Sequence, residues 1–340
     1  MSIQADDYAL VVGIQHYVSA DLNTLSSALN DALKVKAWLL DQTRGGALPD
    51  GNVKPLLSKP DSGDPEPNDI DDAIEAVFDQ VKQRLTPARR FYFYFSGHGM
   101  AATKLQAYLC LPKWSSQRRR MAIDSMDYWQ MIANTGLFQE IVCLFDCCRS
   151  YKPNVGGIPS TLGSPRPQAS AASTNLFIGF AAPFLESAFE PSVTDENGFF
   201  TRALLSGLEG GACQSTGGAP AQRLKGFLES ETEKLARQAG KKQKPEIYNG
   251  FSAVSEPVFG SAMPPGGTGT NKLVYVVSIS DAPGRSVVLL HPDAMETLWD
   301  GSQPWRIEVA GGLHVLEDRT NGKLLKLSRD VTQGEIHVTF

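Results

Sequence analysis

Residues 8–16, YALVVGIQH, are apolar almost without interruption. That pattern predicts a strand buried on both faces of a parallel sheet. Leu22, Leu25, Leu29, Ala32, Leu33, Lys36 and Leu40 then keep helical spacing with polar residues mostly between them. NVKPLLS (52–58) reads as a short strand, and DSGDPEPND (61–69) as a turn-rich loop in which Asn68 or Asp69 caps a helix over 70–84. FYFYF (91–95) and EIVCLF (140–145) predict two further buried strands. LQAYLCLP (105–112) predicts a strand stopped by proline, and residues 124–135 a helix. TNLFIGFAAP (174–183) returns as a strand, with helices near 197–209 and 221–238. Strands alternating with helices define an α/β fold, a doubly wound, mostly parallel sheet with helices on both faces.

The pattern changes twice. YKPNVGGIPSTLGSPRPQASAAS (151–173) is rich in Pro, Gly and Ser and predicts a mobile surface loop. After residue 250 a Gly/Pro-rich linker (251–270) leads into NKLVYVVSI, RSVVLLHP, WRIEVAGG, LHVLED, KLLKLS and EIHVTF. Asn321-Gly322 between two of these runs is a two-residue hairpin signal. The expected organisation is a domain over 1–250, a linker over 251–270, and a small antiparallel β domain over 271–340.

Composition narrows the function classes. At 42% hydrophobic and 20% charged, the 340-residue chain can bury a full core. A net charge of -5 argues against a dedicated nucleic-acid binder. No apolar run approaches the roughly 18 residues needed to cross a bilayer, and MSIQADDYAL does not read as a signal peptide. The five cysteines are an odd number, mostly in strand-like stretches, which suggests reduced thiols and a cytoplasmic location. Cys143-x3-Cys147-Cys148 lacks a second ligand pair and makes a poor zinc site.

Chemistry collects at two strand ends. Ser96-Gly97-His98-Gly99 follows FYFYF, and Asp146-Cys147-Cys148-Arg149-Ser150 follows EIVCLF. Ligands of parallel α/β sheets bind outside the carboxyl ends of the strands. If the two strands are neighbours, a histidine and a cysteine meet at one edge. An imidazole there raises the thiolate fraction and later protonates a leaving amine. Gly97 and Gly99 permit a tight turn, and the amides of Gly99 and the nucleophile can form an oxyanion hole. Each such donor is worth roughly 3–4 kcal/mol in hydrolases.

SGHG followed about fifty residues later by a strand ending DCCRS resembles the caspase-like cysteine peptidases, in particular the metacaspase/orthocaspase branch. The resemblance covers roughly residues 6–250 and includes YALVVGI, LNDA (29–32), SAFE (187–190), NGFFTRALLSGL (197–208) and KPEI (244–247). The branch motif Asp-x-Cys-x-Ser implies that Cys148 is the nucleophile and His98 its base. Period two agrees: residues 141, 143, 145 and 147 share one strand face, which leaves Cys147 as a buried filler. The resemblance also implies an arginine pocket made by Asp31 and Asp146, hence cleavage after Arg, then Lys, and not after Asp. A carboxylate about 4 Å from a guanidinium gains on the order of 4 kcal/mol at intermediate dielectric.

Some relatives need calcium. Here Lys113 and Trp114 stand where an acid is often found, and Asp124 and Asp127 read as helix cap and surface residues. No cofactor is therefore expected. Lys152 and Arg166 each precede a proline, which argues against self-cleavage within 151–173, whereas Arg118-Arg119-Arg120 is a candidate site. The expected partners are Arg/Lys-containing protein or peptide substrates and a regulatory partner at the β domain, with no nucleic acid or membrane and a monomeric state. The compact layout suggests a prokaryotic source, and the resemblance implies by analogy an effector of cell death or defence. The alternatives are a catalytically silent caspase-fold scaffold and a latent protease awaiting a partner.

Overall fold

The computed structural model describes residues 3–43, 45–101, 103, 106–151, 156–162, 174–189, 197–214, 218–251, 258–260, 273–279, 284–290, 296–309, 314–327 and 335–339. Its elements begin with β1 (Asp7–Gly13), α1 (Ala28–Leu40), β2 (Val53–Leu57), α2 (Pro67–Lys82) and β3 (Ala88–Ser96). Next come β4 (Gly99–Ala101), β5 (Tyr108–Cys110), β6 (Ala122–Asp124), α3 (Ser125–Asn134), β7 (Phe138–Asp146) and β8 (Ser150–Tyr151). β9 (Asn175–Phe180), α4 (Phe199–Ser206), β10 (Ala219–Pro220), α5 (Ala221–Gln238), β11 (Glu246–Asn249) and β12 (Val258–Phe259) follow.

The central sheet runs β11-β9-β7-β3-β1-β2. Every pair is parallel except β11 against β9, so the alternating pattern does build a doubly wound, mostly parallel sheet. Strand alternation divides the core. Leu10, Val12, Phe91, Phe93, Phe95, Ile141, Cys143 and Phe145 face Ile70, Ile74 and Val77 of α2 and Tyr128 and Ile132 of α3. Val11, Tyr92, Tyr94, Val142 and Leu144 face Val35 and Trp38 of α1, Phe200 and Leu204 of α4, and Leu224 and Leu228 of α5. Each fully buried aromatic or aliphatic side chain contributes about 1.5–3 kcal/mol, so these two clusters dominate the stability of the domain.

Three departures from the periodic reading matter. The first helix starts at Ala28, not Leu22. Residues 17–25 instead run as irregular chain, with the Leu25 amide bonded to the Gln15 carbonyl at 3.0 Å. The second helix begins at Pro67 because Glu66 and Asp69 form a capping box, so Asp69 supports the cap from inside the helix. LQAYLCLP contributes only β5, and that strand lies outside the central sheet, in a small sheet ordered β6-β5-β4-β8.

The C-terminal region contains β13 (Leu273–Ser278), β14 (Val287–Leu290), β15 (Glu296–Leu298), β16 (Trp305–Val309), β17 (His314–Asp318), β18 (Lys323–Leu327) and β19 (Glu335–Thr339). They form two sheets, β16-β13-β19 and β15-β14-β17-β18, around Val277, Ile279, Val287, Leu289, Trp305, Ile307 and Leu316. Pairing is antiparallel except between β13 and β19, which is parallel. The predicted hairpin joins β17 and β18, but its connection is four residues, 319–322, with Gly322 at φ 72°. Before these sheets, Val258–Phe259 pairs with Ala219–Pro220, and Phe259 is buried against Phe177 at 5.3 Å between ring centres.

Candidate active site

β3 and β7 are parallel neighbours whose register pairs Ser96 with Asp146. Beyond the sheet edge the two chains turn and pair again, Met100 of β4 with Ser150 of β8. The sequence offset is fifty residues at both pairs, and His98 and Cys148 are the middle residues of the two brackets. The Gly97 amide donates to the Asp146 carbonyl at 3.2 Å. A Cβ on Gly99 would lie 2.5 Å from Cys147 Sγ and 2.7 Å from the Cys148 carbonyl. Glycine at 99 is thus what lets the histidine turn pack directly on the cysteine turn.

The irregular segment before α1 holds the histidine. The His98 amide donates to the Tyr17 hydroxyl at 2.7 Å, and the two rings lie 4.8 Å apart. His98 Nε2 is 2.8 Å from the Asn23 carbonyl. A carbonyl only accepts, so Nε2 carries a proton and Nδ1 is the basic nitrogen of the neutral ring.

The adjacent cysteines differ sharply. Cys147 is 2% exposed and belongs to the core cluster that includes Phe145 and Phe180. Burial pushes its thiol well above the ordinary 9.0, with smaller contributions from Cys148 and Asp146. Cys148 is half-buried, and its thiol donates to the Ala188 carbonyl at 3.3 Å. Cys110, Cys143 and Cys213 are buried.

Asp31 and Asp146 come together from α1 and β7. Asp31, far from being an exposed helix residue, is 1% exposed. It accepts from Ser27 Oγ at 3.3 Å, Ser96 Oγ at 2.9 Å, Asn197 Nδ2 at 2.7 Å and the Gly198 amide at 3.0 Å. Asp146 Oδ2 accepts from the Thr201 amide at 3.1 Å and hydroxyl at 2.6 Å. A Cβ on Gly198 would stand 2.8 Å from Asp146 Oδ2 and 3.4 Å from Asp31 Oδ2, so the two carboxylates flank one point.

The model of the caspase domain, peptidase family C14, matches residues 6–253. The chain belongs to the caspase-domain family of cysteine-type peptidases. A probable protease from a Desulfuromonadales bacterium is 29% identical over 217 residues, which is 60% of this chain and 26% of that protein's own length. The chain therefore spans only a minor part of this relative. The crystal structure of caspase-1 from Spodoptera frugiperda aligns with a TM-score of 0.45 and 13% identity, covering 78% of this chain and 93% of that one.

Within the caspase domain, several residues support the two turns through contacts that their sequence context does not reveal. Tyr17 and Asn23 lie in a segment whose leucine spacing imitates a helix. Arg149 is fully buried, ion-paired with Glu246 at 2.6 Å and stacked 4.1 Å from the Phe180 ring centre. Its amide donates to the Glu186 carbonyl and its carbonyl accepts from the Leu185 amide, each at 3.0 Å. It therefore ties the turn that carries Cys148 to the segment that carries Ala188.

Other sequence candidates are accounted for by local contacts. Asp124 caps α3, accepting from the Met126 and Asp127 amides, and Asp127 accepts from the Ser160 amide at 2.8 Å. Lys113 pairs with Glu66, and Trp114 is buried. Among the described residues no group of three or more His, Cys, Asp or Glu side chains is arranged to hold a metal. Arg118, Arg119 and Arg120 are exposed. Lys152, Arg166 and Glu190 lie outside the described residues. Among the described residues no helix is long and apolar enough to cross a membrane.

Proposed function

We propose that the chain is an endopeptidase that cuts peptide bonds after Arg, then Lys, through a His98–Cys148 dyad and a thioacyl intermediate. The observation that carries this reading is the common fifty-residue offset at Ser96–Asp146 and Met100–Ser150, which brackets both residues. Cys148 gives its proton to His98 Nδ1 and attacks the scissile carbonyl carbon. The oxyanion is received by the Gly99 and Cys148 amides. His98 then returns the proton to the leaving amine, and water hydrolyses the thioester to regenerate the thiol. The Asn23 carbonyl fixes the tautomer that makes Nδ1 the base.

The arginine preference is supported by two buried carboxylates that converge beside Gly198 and together can oppose the charge of a guanidinium. Asp124 and Asp127 are engaged in capping α3 and holding Ser160, which supports activity without calcium. Protein or peptide substrates follow from the family. Action as a monomeric cytoplasmic effector of cell death or defence, with a partner at the C-terminal sheets, is the biological role we attach to this activity.

A latent enzyme is the second reading, favoured by one contact. The Cys148 thiol donates to Ala188, and a thiol held by a carbonyl is a resting thiol until substrate or a partner shifts residues 183–189. Fluorogenic peptides ending in Arg, Lys or Asp, assayed in EGTA and in calcium, test the proposal. Arginine cleavage in EGTA is expected. Asp cleavage would overturn it, and no cleavage with any peptide would favour the latent reading over it.

A further inference from the structure

Beneath the paired carboxylates lies a tyrosine hydroxyl that the dyad chemistry does not use. Tyr94 sits on β3, two residues before Ser96, and is 1% exposed on the α1/α4 side of the sheet. Its hydroxyl is 2.5 Å from Thr201 Oγ1. The direction of that bond follows from its neighbours. Thr201 has one hydroxyl proton, and Asp146 Oδ2, 2.6 Å away, can only accept it when ionised. Tyr94 must therefore be the donor to Thr201. Its proton is well secured. Burial, and then the negative charges of Asp31 and Asp146, push the phenol well above its ordinary value, so it stays a neutral donor.

The result is a directed chain, Tyr94 to Thr201 to Asp146, running from the buried core up into one oxygen of the pocket acid. Hydrogen bonds in series polarise and strengthen one another in a dry interior. Asp146 Oδ2 also receives the Thr201 amide, so this oxygen is held from two directions and the plane of the carboxylate is set. The second acid is held by Ser27, Ser96, Asn197 and Gly198, of which Ser96 also bonds the Tyr94 hydroxyl.

We propose that Tyr94 is a positioning residue that sets the discrimination between arginine and lysine at this pocket, by fixing the plane of Asp146 through Thr201. The inference rests on the arginine-pocket reading above. Its chemical basis is the difference between the two cations. A guanidinium is a rigid fork that needs coplanar acceptors, whereas an ammonium is a point charge that tolerates a rotated carboxylate. Loosening Asp146 therefore penalises arginine more than lysine.

Tyr94→Phe keeps the buried ring and removes only the hydroxyl. Thr201→Val removes the relay hydroxyl and keeps the amide bond to Asp146. In both variants kcat/KM for an Arg peptide should fall about tenfold, the worth of one buried hydrogen bond, while the Lys value falls far less. The rate of Cys148 alkylation by iodoacetamide should not change. An unchanged Arg/Lys ratio in both variants overturns the role, and so do equal losses for Arg, Lys and alkylation, which mark a structural effect. A parallel measurement separates this failure from failure of the pocket itself. Agmatine and cadaverine are titrated as isolated guanidinium and ammonium probes, read by protection of Cys148 from alkylation. A wild-type chain without preference for agmatine contradicts the pocket and this role together. Preference in wild type that persists in Tyr94→Phe contradicts the role of Tyr94 alone.

Discussion

Gly99 and Cys147 are in such close contact that a methyl group on the glycine would lie 2.5 Å from the thiol sulfur. The Cys148 carbonyl, 2.7 Å from the same point, cannot swing away without moving the Cys147–Cys148 turn. Gly99→Ala should therefore cost roughly 1–3 kcal/mol in stability, as overpacking does. It should also reduce peptide cleavage at least about tenfold, because a turn displaced by a fraction of an ångström misaligns the reacting groups. Denaturant unfolding beside steady-state kinetics checks this. A stable, fully active Gly99→Ala would show that the two turns have slack.

Asp146→Ala should collapse arginine cleavage by two to three orders of magnitude, given the ~4 kcal/mol worth of a close carboxylate–guanidinium pair. Alkylation of Cys148 should persist. Gly198→Ala offers a gentler version, since its methyl would sit beside both Asp146 and Asp31. It should raise KM for arginine peptides while leaving the thiol reactive. Retained arginine cleavage in Asp146→Ala would remove that residue from the pocket.

Asp71 should anchor the segment at 160–161, which follows Cys148 in the chain. It is 2% exposed and accepts from Tyr128 Oη at 2.7 Å, Ser160 Oγ at 2.8 Å, and the Thr161 amide and hydroxyl at 2.8 and 2.5 Å. Asp71→Ala leaves the buried Tyr128 hydroxyl without this partner and should destabilise by roughly 2–4 kcal/mol. Limited proteolysis should then cut near 156–162 in the variant before the wild type. Identical cleavage patterns would deny the anchor.

Alkaline pH should weaken the fold through its buried thiols. Burial holds Cys143 and Cys147 above their ordinary 9.0. Above pH 9 the unfolded chain loses these protons while the folded chain keeps them. Each thiol's contribution is thus full below the ordinary value and declines as pH rises past it, by about 1.4 kcal/mol per pH unit. Unfolding free energies between pH 8 and 10.5 should fall more steeply in wild type than in Cys143→Ala. Equal slopes would contradict the burial argument.

Much of this was legible in the chain because period and chemistry coincide. FYFYF and EIVCLF are apolar enough to be central strands, and their polar ends had to emerge at one sheet edge. The burial of Cys147 beside the half-buried Cys148 follows from strand alternation. The segment from Tyr17 to Leu25 was not legible. Its leucines keep helical spacing, yet backbone bonds to Gln15 and Pro112 hold it irregular, and those partners are distant in sequence or set by the fold. Asn23 acts through a backbone carbonyl, which no side-chain pattern records. LQAYLCLP reads as a core strand because Leu109 and Cys110 are fully buried, but pairing with β4 places it in the smaller sheet. The parallel pairing of β13 with β19 joins the two ends of the C-terminal region, beyond the reach of any local turn signal.

The central claim is that Cys148, and not its neighbour, does the chemistry. The most direct measurement is the hydrolysis rate of one arginine peptide by wild type, Cys147→Ala and Cys148→Ala, each verified as folded. Cleavage by wild type and Cys147→Ala, with none by Cys148→Ala, is the predicted result. Cleavage that survives in Cys148→Ala, or that disappears only in Cys147→Ala, would contradict the account.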